Sequence, residues 1–189
     1  FDNLRRSLVP AAFTTMLALS WFYLLPAWFW TTVTIGILMA QSMAASVMEI
    51  YRKPKDVILR QHILTSLRTA ILSLVQMIFA ITCLPYEAYF SLDAIVRTLW
   101  RLKVSHKMTL EWNPSANTDT SATFGGIMLR MWIAPCIALV AMAKLSLSNP
   151  SVLPLAMPVL CLWFVSPVIT WWVSRPIARQ EPQLSASQK

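Results

Sequence analysis

Two apolar runs stand back to back near the start of this chain, over residues 8–25 and 27–48, with only Pro26 between them. No charged residue lies between Arg6 and Glu49. Each run has the length a helix needs to cross a hydrocarbon core, about 20 residues at ~1.5 Å each. Lipid offers no partner to a backbone N–H or C=O, so only helices and closed barrels cross it. A barrel would need long apolar–polar alternation, which the chain lacks. Composition points the same way: 57% of the 189 residues are hydrophobic, 13% are charged, and nine Trp stand against three Gly. The expected fold is therefore an all-α membrane protein.

Within the first pair, Pro10 is read as lying in the first turn of its helix, where a missing N–H is harmless. Trp21, Trp28 and Trp30 surround the Pro26 break, as interface-seeking aromatics should. Gly36, Ala40, Ala44 and Ala45 form a small-residue face suited to close approach of a neighbouring helix.

The net charge of +8 is informative by position. Arg5 and Arg6 precede the first run. Arg52, Lys53, Lys55 and Arg60 follow the second. Arg97, Arg101, Lys103 and Lys107 form a third group, and Arg175, Arg179 and Lys189 follow the last apolar run. The positive-inside rule puts these groups, and both termini, on the cytoplasmic side. Lys144 is the one charge near an outer turn. A basic excess also suits nucleic acid, but charges that flank apolar spans and sort by side argue for a bilayer and against nucleic acid.

Residues 57–84 are long enough to span, yet His62, Thr65, Thr69, Ser73 and Gln76 share one face with Arg68 at its border, unlike a lipid-surrounded helix. Both flanks are basic. The simpler expectation keeps both ends cytoplasmic, as an interfacial or re-entrant helix or one that packs its polar face on protein. Pro85 is expected to break the chain. A second amphipathic helix then runs from about Tyr86 to Val104. Leu92, Ile95, Val96, Leu99 and Leu102 form its apolar stripe, with Glu87, Ser91, Thr98, Arg101 and Ser105 opposite. Asp93 and Arg97, four apart, are placed to pair. With aromatics on one side and Arg/Lys on the other, this helix is expected to lie in the membrane interface.

Residues 113–126 are rich in turn formers and read as a loop. Residues 127–145 form the next span, with Arg130 at its entrance and Pro135 as a kink site. The last span, 152–173, contains Pro154, Pro158 and Pro167 and should be bent or start late. Trp163, Trp171 and Trp172 are its candidate interface anchors. The expected organisation is thus a transmembrane hairpin (1–48), a basic connector with interfacial helices (49–112), a polar loop (113–126), a second transmembrane hairpin (127–173) and a linker (174–189). The chain begins at Phe1 rather than Met and ends in a polar tail, so it is expected to be part of a longer polypeptide.

Chemistry-bearing patterns are few. Cys83, Cys136 and Cys161 lie in apolar segments without metal spacing, and are expected to be buried and reduced. His62 has no Cys or carboxylate partner at ligand spacing. There is no Gly-rich phosphate loop, nucleophile elbow or zinc-protease motif. The eight acidic residues avoid the span centres, which weakens a proton-coupled transporter reading. No catalytic residue and no metal ligand is therefore assigned. Three readings remain: a membrane platform for an enzyme, a transporter or channel module, and a plain anchor for an unrelated soluble domain.

Three stretches narrow these. FDNLRRSLVP over residues 1–10, LPYEAY over 84–89 with LDAIVRTLWR over 92–101, and LEW over 110–112 resemble the membrane region of bacterial cyclic β-1,2-glucan synthases. In spacing and order the resemblance covers nearly the whole chain, though none of these motifs is catalytic. It implies a segment between a glucosyltransferase domain and a phosphorylase-like domain of one large inner-membrane enzyme. The transferase would be inverting and would use UDP-glucose and a divalent metal, held by residues outside this chain. The resemblance implies as partners the lipid bilayer, both flanking domains and the growing glucan. In it, residues 86–103 would dock the transferase at the bilayer surface. Asp93, Arg97, Trp100 and Arg101 are the candidate docking residues, the arginines meeting lipid phosphates or the transferase. Tyr86, Glu87 and Tyr89 are the candidate sugar contacts, against the alternative of an aromatic belt with no sugar role.

Overall fold

The computed structural model describes residues 2–51, 59–105 and 123–175. Its helices are α1 (Asp2–Phe22), α2 (Ala27–Tyr51), α3 (Leu59–Trp100), α4 (Phe124–Met131), α5 (Ile133–Ser148) and α6 (Leu153–Val173), and α3 ends in a π-turn over Arg101–Ser105. No strand occurs among the described residues. The stretch from Ile63 to Val104 and helix α6 are each long and apolar enough to cross a membrane, and α4 with α5 is a third if the bent pair is one span. The chain is an all-α membrane protein, as its composition requires. Most of the basic connector, residues 106–112, the loop up to 122 and the linker from 176 lie outside the described residues, as does the side chain of His62.

The largest departure from expectation is at Pro85. No break occurs there: α3 runs through it for 42 residues. At ~1.5 Å per residue it is ~63 Å long, about twice a hydrocarbon core. Proline lacks the N–H that would bond the carbonyl four residues back, and its ring crowds that carbonyl. The orphaned acceptor is the Ile81 oxygen. The indole Nε1–H of Trp163, on α6, donates to it at 3.0 Å. An interhelical donor thus stands in for the missing intrahelical one, which is how membrane helices tolerate proline.

Trp163 is accordingly a core residue, 1% exposed, and not the interface anchor expected of it. It packs on Trp21 of α1, with ring centroids 5.5 Å apart. Trp21, expected at the interface, is also buried. Around this pair gather Leu17, Ile81, Leu84, Ala138, Leu145, Ala156 and Leu160. Alanines on α5 and α6 allow the close packing, whereas Gly36, expected to do so, has open space where a Cβ would stand, and Ala40 and Ala44 are exposed.

Pro167 and Pro135 follow the same rule. Pro167 orphans the carbonyl of Trp163, and the Ser166 hydroxyl donates to it at 2.8 Å. Pro135 would clash with the carbonyl of Met131; the chain bends by 53° between α4 and α5, and helix resumes with Cys136 N–H donating to the Trp132 oxygen. The kink foreseen at Pro135 therefore falls one turn earlier, which is where a proline acts. Pro154 sits in the first turn of α6. Pro10, by contrast, is two turns inside α1, because the helix starts at Asp2 and not at the apolar run.

Several hydroxyls in the apolar helices are satisfied locally, although the buried Ser66 hydroxyl on α3 has no partner among the described residues. Thr15, Thr32 and Thr98 each donate to the carbonyl four residues back at 2.7–2.8 Å. Ser20 and Thr31 also meet each other at 3.1 Å, linking α1 to α2 beside the Pro26 turn. Of the cysteines only Cys83 is buried; Cys136 and Cys161 are exposed, contrary to expectation.

Candidate functional site

Helix α3 divides at its buried centre. Ser66, Ala70, Ser73, Met77, Ile81, Leu84 and Ala88 are buried or half-buried and recur three or four apart, so they form the stripe that faces the bundle. The polar face foreseen over 62–76 is split by this stripe: Ser73 and Thr69 turn partly inward while Thr65, Arg68 and Gln76 are exposed. Packing against α1, α2, α5 and α6 holds this section.

Beyond Ala88 the same stripe continues in sequence as Leu92, Ile95, Leu99 and Leu102, spaced by three or four. Leu92, Leu99 and Leu102 are 43%, 50% and 57% exposed. Ile95 between them is half-buried. The apolar stripe drawn from the sequence is thus present, and it is the uncovered extension of a bundle-facing stripe.

The other face carries the candidate residues. Tyr86, Phe90, Asp93, Arg97 and Arg101 are four, three, four and four apart and share one side of α3, with Tyr89 and Trp100 at its edge. Aromatics and arginines therefore lie together, and not on opposite sides as expected. Tyr86 stacks on Phe90 with centroids 6.2 Å apart and an interplanar angle of 26°. The foreseen Asp93–Arg97 pair forms, with Arg97 Nε donating to both carboxylate oxygens at 2.8 and 2.9 Å. Glu87 is exposed, as is Tyr89 at 45%, while Tyr86 is half-buried. Trp100 is 63% exposed. The helix closes in the π-turn that holds Arg101 and Lys103.

This surface combines planar rings, a carboxylate, guanidinium groups and an aliphatic strip. It can take an amphipathic partner or a membrane surface. It has no nucleophile–base pair, and no group of three His, Cys, Asp or Glu able to hold a metal occurs among the described residues. Sequence reasoning missed Trp163, whose signal was its depth. It sits mid-span, where an anchor has no interface to reach, and Pro85 creates the acceptor it serves.

No family model matches the chain. A curated protein does: over 193 residues the chain is 32% identical to the cyclic beta-(1,2)-glucan synthase NdvB of Rhizobium meliloti (strain 1021). The chain resembles one region of that synthase. The match takes in 100% of this chain and 7% of NdvB, so the chain spans a small fraction of the relative's length. Alignment along the entire chain includes residues 1–10, 84–101 and 110–112, which carried the resemblance drawn from the sequence.

Proposed function

We propose that this chain is a membrane segment of a cyclic β-1,2-glucan synthase, and that residues 86–103 form the surface on which a glucosyltransferase domain of the same polypeptide rests at the inner membrane. The observation that carries the reading is the whole-chain similarity to NdvB. The exposed extension of α3 supports the docking role, because a plain anchor has no use for an uncovered apolar strip backed by Asp93, Arg97 and Arg101. The strip would be covered by the transferase or by lipid. The face bearing Tyr86, Tyr89 and Trp100 would meet headgroups or acceptor glucan. UDP-glucose, a divalent metal and the inverting chemistry belong, in this reading, to residues outside this chain. The phosphorylase-like domain would follow residue 189.

Replacing Arg97 and Arg101 together in the full-length protein is expected to lower UDP-glucose-dependent glucan formation at normal expression. Unchanged synthesis would remove the docking role. Both termini are proposed to be cytoplasmic. Single cysteines introduced at Ser105 and Ser148 check this with a membrane-impermeant maleimide. Labelling of residue 105 from outside intact inner membrane contradicts the proposed sidedness.

A further inference from the structure

A groove of about 360 Å³ runs between α1 and α5, with Ala18, Phe22, Ile137, Val140 and Lys144 among its lining residues. Its walls are almost wholly apolar. Lys144, one turn before the end of α5, stands at the groove with its ammonium 4.7 Å from the Phe22 ring centroid and 5.9 Å from that of Tyr23. The carboxylates whose side chains are described, Glu87 and Asp93, both lie on α3, and no ion pair to Lys144 occurs among the described residues. Trp21 and Phe22 also line a second hollow of about 290 Å³, whose wall is mixed polar and apolar and includes Tyr23, Asn149 and Ser151. An apolar trough thus adjoins one of mixed polarity, with a cation near the end of α5. Aromatic rings reinforce the cation's position but leave its charge uncompensated.

That profile matches a phospholipid. An acyl chain needs a dry apolar trough, a phosphate needs a cation, and glycerol and headgroup need polar surroundings. A glucan chain would find no hydrogen-bonding wall in the apolar trough, and burying sugar hydroxyls there unpaired is unfavourable. We propose that the α1–α5 groove holds one acyl chain of an anionic phospholipid, whose phosphate sits on Lys144 and whose headgroup occupies the hollow beside Tyr23 and Asn149.

Cys136, which lines the groove and is exposed, is a built-in reporter. Cys161, exposed but not among the groove's lining residues, is its control. The full-length protein is delipidated in a neutral detergent and alkylated with N-ethylmaleimide, and peptide mass spectrometry follows both thiols. Adding phosphatidylglycerol is expected to slow alkylation of Cys136, with half-protection at about fivefold lower lipid concentration than phosphatidylcholine needs, the ratio one lysine gives at an anionic surface. Cys161 should react equally with either lipid. The preference should vanish in Lys144→Gln and persist in Lys144→Arg. Equal protection by the two lipids in the wild type overturns the proposal without any variant. So does protection by inorganic phosphate alone, protection of Cys161 to the same degree, or an undiminished preference in Lys144→Gln.

Discussion

The two sections of α3 form one continuous helix and yet behave as different materials. Around Ile81–Pro85 every residue is buried, and the backbone defect of Pro85 is repaired by a donor from another helix. From Tyr89 to Val104 most side chains are exposed, and Asp93 with Arg97 and Thr98 with its own helix make local links. The bundle-facing stripe is present in both. What differs is whether anything covers it. Binary pattern makes a helix face available, and only tertiary contact turns that face into stability.

The comparison is broken most easily with tryptophan. Trp163→Ala is expected to cost about 3–5 kcal/mol, the range for a buried large aromatic, whereas Trp100→Ala should change stability by no more than about 0.5 kcal/mol. Unfolding of the purified protein in mixed micelles measures both. Equal losses would mean that the outer section of α3 is packed after all.

A second measurement sharpens the claim about Pro85. Trp163→Phe keeps most of the ring but leaves the Ile81 carbonyl buried without a donor, a loss of about 1–3 kcal/mol. Trp21→Phe should cost less, because the Trp21 Nε1–H has no acceptor among the described residues. In a Pro85→Ala background the residue-85 N–H can bond the Ile81 carbonyl, so the penalty of Trp163→Phe should shrink by about 0.5–3 kcal/mol in a double-mutant cycle. Strict additivity would show that the indole bond does not repair the proline defect.

Leu99→Gln together with Leu102→Gln should leave micellar stability within about 0.5 kcal/mol while lowering glucan formation by the full-length protein, since these positions are uncovered here and proposed to be covered there. A large stability loss in the isolated segment would place a partner for them within this chain. The smallest effect belongs to Asp93→Asn. The pair is an exposed i,i+4 contact, and its loss should cost about 0.3–0.5 kcal/mol, diminishing with salt.

Much of the fold was legible. Helical character, the span-length apolar helix α6, the bend between α4 and α5 and the Asp93–Arg97 pair all follow from local rules of length, hydropathy and spacing. The misreadings have two causes. By sequence Pro85 reads as a break, Trp163 and Trp21 as interface anchors, and the aromatics of 86–100 as a face opposite the arginines. The first two errors assign by residue type what is set by a neighbour, and the third yields to counting residues along an unbroken helix. Cys136 and Cys161 sit in apolar runs and so are expected in the interior, but lipid is as apolar as a core, and an apolar residue of a span can face either.

By itself the sequence determined that this chain must be helical, since long uncharged apolar runs leave lipid-compatible backbone no other choice. It also set the stripe that α3 presents along its length. Only the tertiary structure decided that α3 is continuous. Pro85 leaves the Ile81 carbonyl without its helical donor, and the indole of Trp163, 82 residues further along the chain, supplies that bond. Only tertiary structure, too, separated the covered part of the stripe from the bare part, because burial is a property of pairs of surfaces and a sequence lists them one at a time.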